Sequence, residues 1–306
     1  MNKKHAYILL TLCLIVIFKK NLKKEFYCYQ NKVYDIILSK NDPYSNYAKN
    51  LKPAIPRSEF IKSIDITKKT LEIGPFTNPI LKGNNVNYFD IFDQEGLRQK
   101  IITDQFYGIK EKYDSESIKV PYIKYVDPHG DMSKIKDQFD IVFSSHNIEH
   151  QVNLIKHLQQ IQKLIHSKGK IFLIVPDKRY CFDHFISTTN LSDIIDNFEN
   201  NPKKHDLKTI LANRCEITHN NNFEHWQSKH GEHKSEQIDN CYISALKEYK
   251  NSGDNYIDSH RWRFTPQSFY KIISQLNEMK YIQLKIDTIH ATKFGSCEFY
   301  VVLSLQ

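Results

Sequence analysis

The stretch FDIVFSSHNIEH, residues 139–150, decides how this chain is read. Its first half is a short apolar run of the kind a buried parallel strand shows. Its second half contains HxxEH, from His146 to His150. At that spacing two histidines can hold zinc while the glutamate works on a bound water. The residues on either side decide between hydrolysis at a metal and another chemistry.

Working outward, further strand-like runs alternate with helical stretches: TLEIG (70–74), VNYFD (86–90), IKYVD (123–127), KIFLIVP (170–176), IQLKIDTI (282–289) and EFYVVLSL (298–305). Short hydrophobic strands separated by helices predict a parallel sheet covered on both faces. The last two runs are joined by HATKFGS without a helix, which predicts an antiparallel hairpin at the sheet edge. HNIEH follows its strand directly and is expected to start a helix running to Lys168, with Leu154, Leu158, Ile161 and Ile165 as its core stripe. A zinc hydrolase would need a third ligand, and no downstream motif supplies one.

The ordered set LEIGPF (71–76), VNYFD, FDIVFSSHNIEH and KGKIFLIVPDKRYCFD (168–183) resembles the class I S-adenosylmethionine-dependent methyltransferases. It is similar in particular to a bacterial-type subgroup with LEIGP, IEH and PDKRYTFD motifs. The resemblance covers Thr70 to Leu305 and is thin from Ile186 to Asn255. It implies an α/β fold: a doubly wound, mostly parallel seven-stranded sheet with a C-terminal antiparallel hairpin. S-adenosyl-L-methionine is the cofactor it implies.

Ligands of such sheets lie beyond the carboxyl ends of the strands. There the resemblance puts Glu72, Gly74 and Pro75 at the methionine part of the cofactor, or Glu72 in support of the loop. It puts Asp90 on the ribose hydroxyls and Ser145 beside the cofactor. Asp127 and Asp131 compete for the adenine amino group; Asp131 is preferred, with Met132 as an apolar neighbour of the ring. Phe76 stands where a second glycine is usual, and the short span from Gly74 to Asp90 implies an abbreviated first helix.

Imidazole suits the removal of a proton from a hydroxyl acceptor. His146 is the first candidate for that base, with Glu149 and His150 orienting it, and His260 in DSHRWRF (258–264) is the rival. Related quinone-ring methyltransferases hold a cation with acids at this turn; His146 replaces the first of them, so no metal ligands are assigned. Asp177, Arg179, Glu224 and Trp262 are expected on the acceptor side, with an Arg179–Asp183 ion pair as the alternative for Arg179 and core packing as the alternative for Trp262. The insert at about 186–258 reads as a solvated or lid-forming segment, its His219, His225, His230 and His233 showing no regular zinc pattern. TPQSFYKII (265–273) predicts a capped helix with Pro266 in its first turn.

The expected acceptor is a small molecule or a saccharide. A catalytically silent binding protein is the alternative, and a zinc hydrolase built on residues 146–150 the lesser one. A chain of 306 residues with 40% apolar content can bury a sizeable core. Its net charge of +8 is spread over lysines without an arginine-rich block, which reads as solvated surface and predicts no nucleic-acid partner.

Residues 1–20 contain the apolar run AYILLTLCLIVIF (6–18), a candidate membrane anchor or signal segment. As a helix it rises about 20 Å against a hydrocarbon core of roughly 30 Å. The lysines that follow it predict a membrane-associated chain with a cytosolic catalytic domain, a secretory lumen or a soluble cytoplasmic protein being the alternatives. Residues 21–67 read as a linker with a short helix at 29–38, and 68–306 as the catalytic domain. Six dispersed cysteines are expected to be reduced. The sequon Asn190-Leu191-Ser192 matters only in a secretory lumen.

Overall fold

A computed structural model describes residues 45–103, 120–232 and 238–306. The expected anchor at 6–18, the helix at 29–38, Cys13, Cys28 and His233 lie outside the described residues. Among the described residues no helix is long and apolar enough to cross a membrane. Residues 1–48 and 49–306 form separate units, and the fold below is that of the second.

Seven strands make one sheet: β1 (Thr70–Ile73), β2 (Val86–Asp90), β3 (Tyr125–Val126), β4 (Phe139–Ser145), β5 (Ile165–Pro176), β6 (Leu284–His290) and β7 (Glu298–Leu305). Their order is β3-β2-β1-β4-β5-β7-β6. β1 to β5 run parallel, and β7 is antiparallel to both β5 and β6. The chain winds outward from β1 in one direction and from β4 in the other. Such a reversal leaves a crevice at the carboxyl ends of those two strands.

Alternation along the strands feeds two cores. Leu71, Ile73, Phe89, Val142 and Leu173 point to one face, where they meet helix α3 (Leu154–Lys163) through Leu158 and Ile161 and helix α8 (Pro266–Glu278) through Phe269 and Ile272. Ile141, Phe143, Phe172 and Ile174 point to the other face. No helix joins β1 to β2: residues 74–85 are loop, so the abbreviated crossover helix is absent altogether. Helix α1 (Arg57–Lys62) covers that face instead, with Phe60 at 1% exposure stacked 4.8 Å from Tyr300. Residues 51–67, whose polar composition reads as linker, are therefore packed against the sheet.

Other boundaries differ from expectation for local reasons. IKYVD keeps only two residues in β3, at the sheet edge where one neighbour is missing. The long helix expected from HNIEH is broken: a single turn at Ile148–His150 is followed by α3, which starts on its Asn153 cap, and Ile165 belongs to β5. Helix α8 begins as predicted, with Pro266 in its first turn and a capping box between Thr265 and Ser268.

Helix α2 (Gln94–Thr103) follows β2. The insert holds helices α4 (Leu191–Asn200), α5 (Leu207–Cys215), α6 (Asn222–Trp226) and α7 (Ile238–Asn251). It is more than a solvated segment: Ile210, Cys215, Ala245 and Ile257 form a small core of their own. Cys215 and Cys241 are joined in a disulfide across α5 and α7, with Cα atoms 5.7 Å apart, which corrects the expectation of reduced thiols for this pair. Cys181 and Cys297 are free.

Candidate active site at the sheet switch point

β1 pairs with β2 on one side and β4 on the other, so Gly74, Asp90 and His146 arrive at one rim although they are far apart in sequence. Gly74 donates its N–H to Phe89 O at 2.9 Å and sits at φ +66°. A Cβ here would lie 2.6 Å from Asn147 Nδ2, so glycine serves both the turn and the approach of the next loop. Phe76 and His146 also hold positive φ, at 49° and 47°. Left-handed non-glycine residues cost free energy and cluster at functional sites.

Two buried carboxylates shape the rim. Glu72, 2% exposed, accepts from the backbone N–H groups of Ile80 and Leu81 at 2.9 Å each. It supports the loop, the second of the roles open to it, and burial pushes its pKa up to about 7. Asp90, 6% exposed, accepts from Phe76 N at 3.3 Å and Phe92 N at 3.2 Å, and burial likewise raises its pKa. Beyond β3, Asp127 accepts from His129 N at 2.9 Å and from Lys134 Nζ at 3.1 Å. Asp131 accepts from Ser133 N at 2.9 Å and Gln160 Nε2 at 2.6 Å. Met132 is 1% exposed inside the main core, which leaves little surface for a ring to touch.

The HNIEH turn is the centre of a charged cluster. His146 Nε2 lies 2.7 Å from Glu298 Oε1, and Arg57 binds both Glu298 and Ser145 Oγ. Glu149 is fully buried, and neither of its carboxylate oxygens has a hydrogen-bond partner among the described residues. Three imidazole nitrogens stand around its Oε1: His146 Nδ1 at 3.6 Å, His150 Nε2 at 3.7 Å and His260 Nε2 at 3.9 Å. The backbone carbonyl of Glu149 accepts from Arg261 N and Trp262 N at 2.9 and 3.2 Å, which fastens the 258–264 segment to the turn.

Each histidine has a different partner and hence a different capacity. Burial opposes a charge on His146, but Glu298 and Glu149 outweigh it and raise its pKa. In the same way Asp258, 2.8 Å from His150 Nδ1, and Glu149 overcome burial and raise His150 to about 9. His260 Nδ1 lies 2.6 Å from Asp183 Oδ2, while Arg263 Nε donates to Asp183 Oδ1 at 2.9 Å. Burial would raise the Asp183 pKa, but the His260 and Arg263 charges bring it down to about 2. In the neutral form of the ring, a carboxylate on Nδ1 holds the proton there and puts the lone pair on Nε2.

Glu149, His150 and His260 bring one ligand atom each within 4.8 Å of one another. Both of these histidines are held through Nδ1 by an acid, the arrangement that orients imidazole metal ligands. The residues present thus fit a divalent cation, through a third ligand, His260, that lies over a hundred positions downstream of the HxxEH motif.

The acceptor-side expectations fare unevenly. Asp177 is 0% exposed and holds Arg179 through Nη2 at 2.6 Å and Nε at 2.9 Å, so Arg179 pairs with Asp177 and not with Asp183. Trp262 is 2% exposed and donates to Gln151 O at 2.6 Å, as part of the core. Neither Asp177 nor Trp262 retains surface for an acceptor. Glu224 is exposed on α6, beside Trp226, which stacks on Tyr180 at 3.8 Å. Sequence reasoning missed Glu298, Asp258 and Arg57; an acid opening the otherwise apolar run EFYVVLSL was the one available signal.

No protein-family profile matches the chain, and no curated protein matches it in sequence. Among solved structures it is similar to the CcbJ methyltransferase from Streptomyces caelestis, with 11% identity, TM-score 0.39, and 88% of this chain and 98% of that one covered. It is also similar to the mitomycin 7-O-methyltransferase MmcR, at 8% identity and TM-score 0.36, covering 89% and 60%. A Rhodobacter sphaeroides protein described as a candidate Zn-dependent alcohol dehydrogenase matches at 12% identity and TM-score 0.40, covering 83% and 91%. At this level the likenesses decide nothing about this chain's reaction, which has to be read from its own residues.

Proposed function

We propose that the chain is an S-adenosylmethionine-dependent methyltransferase acting on a hydroxyl of a small molecule or saccharide. One observation carries this reading: Gly74, Asp90 and the HNIEH turn converge at the switch-point rim, next to His260, whose Nδ1 is held by Asp183 while its Nε2 faces the turn. The cofactor, when bound, supplies an electrophilic methyl group on a positive sulfur. The protein's share is to align the acceptor oxygen, exclude water and receive the acceptor proton.

In this reading Asp90 takes the ribose hydroxyls, while Glu72 keeps the Gly74–Leu81 loop in place. His260 receives the proton on Nε2, and Asp183 stabilises the resulting imidazolium. His146, facing Glu298 and Glu149 through its two nitrogens, holds its proton more tightly than a free imidazole and positions the turn. His260 is thus preferred over His146 as the base. Calorimetry with S-adenosylhomocysteine tests the assignment on the full chain. Wild type should bind, and Asp90→Ala should weaken binding at least tenfold. Equal binding by the two, or none by wild type, refutes it. A screen of hydroxyl acceptors with labelled methyl donor should then show His260→Gln impaired more than His146→Gln.

The buried carboxylate of Glu149, ringed by imidazoles yet without a hydrogen-bond partner among the described residues, favours a second reading, in which a divalent cation on Glu149, His150 and His260 polarises the acceptor oxygen or a water. It predicts activity abolished by chelator with S-adenosylhomocysteine binding unchanged.

A further inference from the structure

Outside this cleft, three more imidazoles converge that the reading above does not use. His184 lies on the loop after β5, His225 in α6 and His230 in the turn beyond it. Each brings one ring nitrogen within 4.8 Å of the other two. His184 Nδ1 is 2.7 Å from Arg179 O, and His225 Nε2 is 3.0 Å from His219 O. A carbonyl only accepts, so these nitrogens carry the protons, and His184 Nε2 and His225 Nδ1 are left with lone pairs. The same pinning by backbone carbonyls presets imidazole ligands in metal sites.

The spacing is close to what an ion needs. His225 Nδ1 lies 3.0 Å from His230 Nδ1, and the His184 and His230 rings stack at 3.7 Å. Two nitrogens on a tetrahedral zinc, each about 2.0–2.1 Å from it, are about 3.3 Å apart. The His184 and His230 rings are nearly parallel, at 10°, so they must tilt for both lone pairs to meet one ion; side-chain rotation that does so and brings nitrogens now within 4.8 Å of one another to this spacing closes the set. His219 stacks on His225 at 4.3 Å but stays outside, since its Nε2 faces Lys229 O and its Nδ1 accepts from Asn221 N. Imidazole donors without carboxylates select zinc-type ions over magnesium or calcium.

We propose that His184, His225 and His230 bind a zinc-class divalent ion, with the fourth position open to water. The ion ties the segment after β5 to the insert. Asp183, which holds His260, is the residue next to His184, and the Tyr180–Trp226 stack bridges the same two segments. The clamp so formed fixes one wall of the cleft, whatever reaction the cleft performs.

Metal content after equilibrium dialysis of the chelator-stripped, full 306-residue chain against zinc tests the site. Wild type should hold one equivalent more than His184→Ala and His225→Ala, and His260→Gln should keep that equivalent. Zinc should raise the thermal midpoint of wild type but not of His225→Gln, whose conservative side chain guards against simple misfolding. The proposal is overturned if wild type binds no zinc, if His184→Ala and His225→Ala bind as much as wild type, or if only His260→Gln loses the ion.

Discussion

Asp183→Asn separates the parts of the site most sharply. The wild-type carboxylate is 2% exposed and receives His260 Nδ1 at 2.6 Å and Arg263 Nε at 2.9 Å. The amide would leave the permanently charged Arg263, 7% exposed, without its counter-charge. Removing one partner of a buried pair costs about 3–5 kcal/mol. The pH dependence follows from the depressed pKa, about 2 against an ordinary 3.8. A carboxylate depressed by that much contributes about 2 kcal/mol at neutral pH. That contribution is present in full above the unfolded value and is lost as pH falls from about 4 towards 2. Asparagine has nothing to lose there. Urea unfolding of both chains at pH 7, 5 and 2.5 should therefore show a gap of about 3–5 kcal/mol that narrows by about 2 kcal/mol at the acid end. A gap unchanged from pH 7 to 2.5 would refute the assignment of Asp183 as the charged partner of His260 and Arg263.

Three further perturbations probe the frame. Gly74→Ala should cost about 1–2 kcal/mol for the left-handed backbone, and about 1 more for displacing Asn147 from its 2.8 Å bond with Gln151. Adding Asn147→Ala should remove the coupling between the two but not the backbone cost, as read from urea midpoints. Phe60→Ala should destabilise by about 3–5 kcal/mol; a loss under about 1 kcal/mol would mean that residues 51–67 are linker after all. Replacing Cys215 and Cys241 by serine opens a loop with a sequence separation of 26, worth about 3.5 kcal/mol by chain entropy. Unfolding with and without reductant should show that difference in wild type and none in the double variant.

The parts of the fold legible in the sequence were those that local patterning determines. VNYFD and EFYVVLSL are strands over their full length because their apolar alternation has buried surface on both sides, and Thr265-Pro266 starts its helix because the capping is local. The pattern of IKYVD predicts more strand than forms because edge position, not composition, limits its pairing. The stripe of Leu154, Leu158 and Ile161 predicts a helix but not its first residue: Asn153 supplies a later and better start than HNIEH. The rim positions of Gly74 and Asp90 were legible because each residue stands at the end of its own strand. Pairs that meet only in space were not: Asp183 with His260, His150 with Asp258, and Cys215 with Cys241 are joined by tertiary folding alone.

The reversed direction of β7 has a consequence for how the cluster is completed. Parallel strands deliver their last residues to the rim, whereas an antiparallel neighbour delivers its first, so Glu298 enters the cluster from the opening position of the seventh strand. Synthesis runs from the N-terminus, so Gly74, Asp90 and His146 are all made long before their acidic neighbour. The charge balance around His146 and Arg57 is thus the last to be set, and a nascent chain cannot hold a finished cleft until its final hairpin has docked.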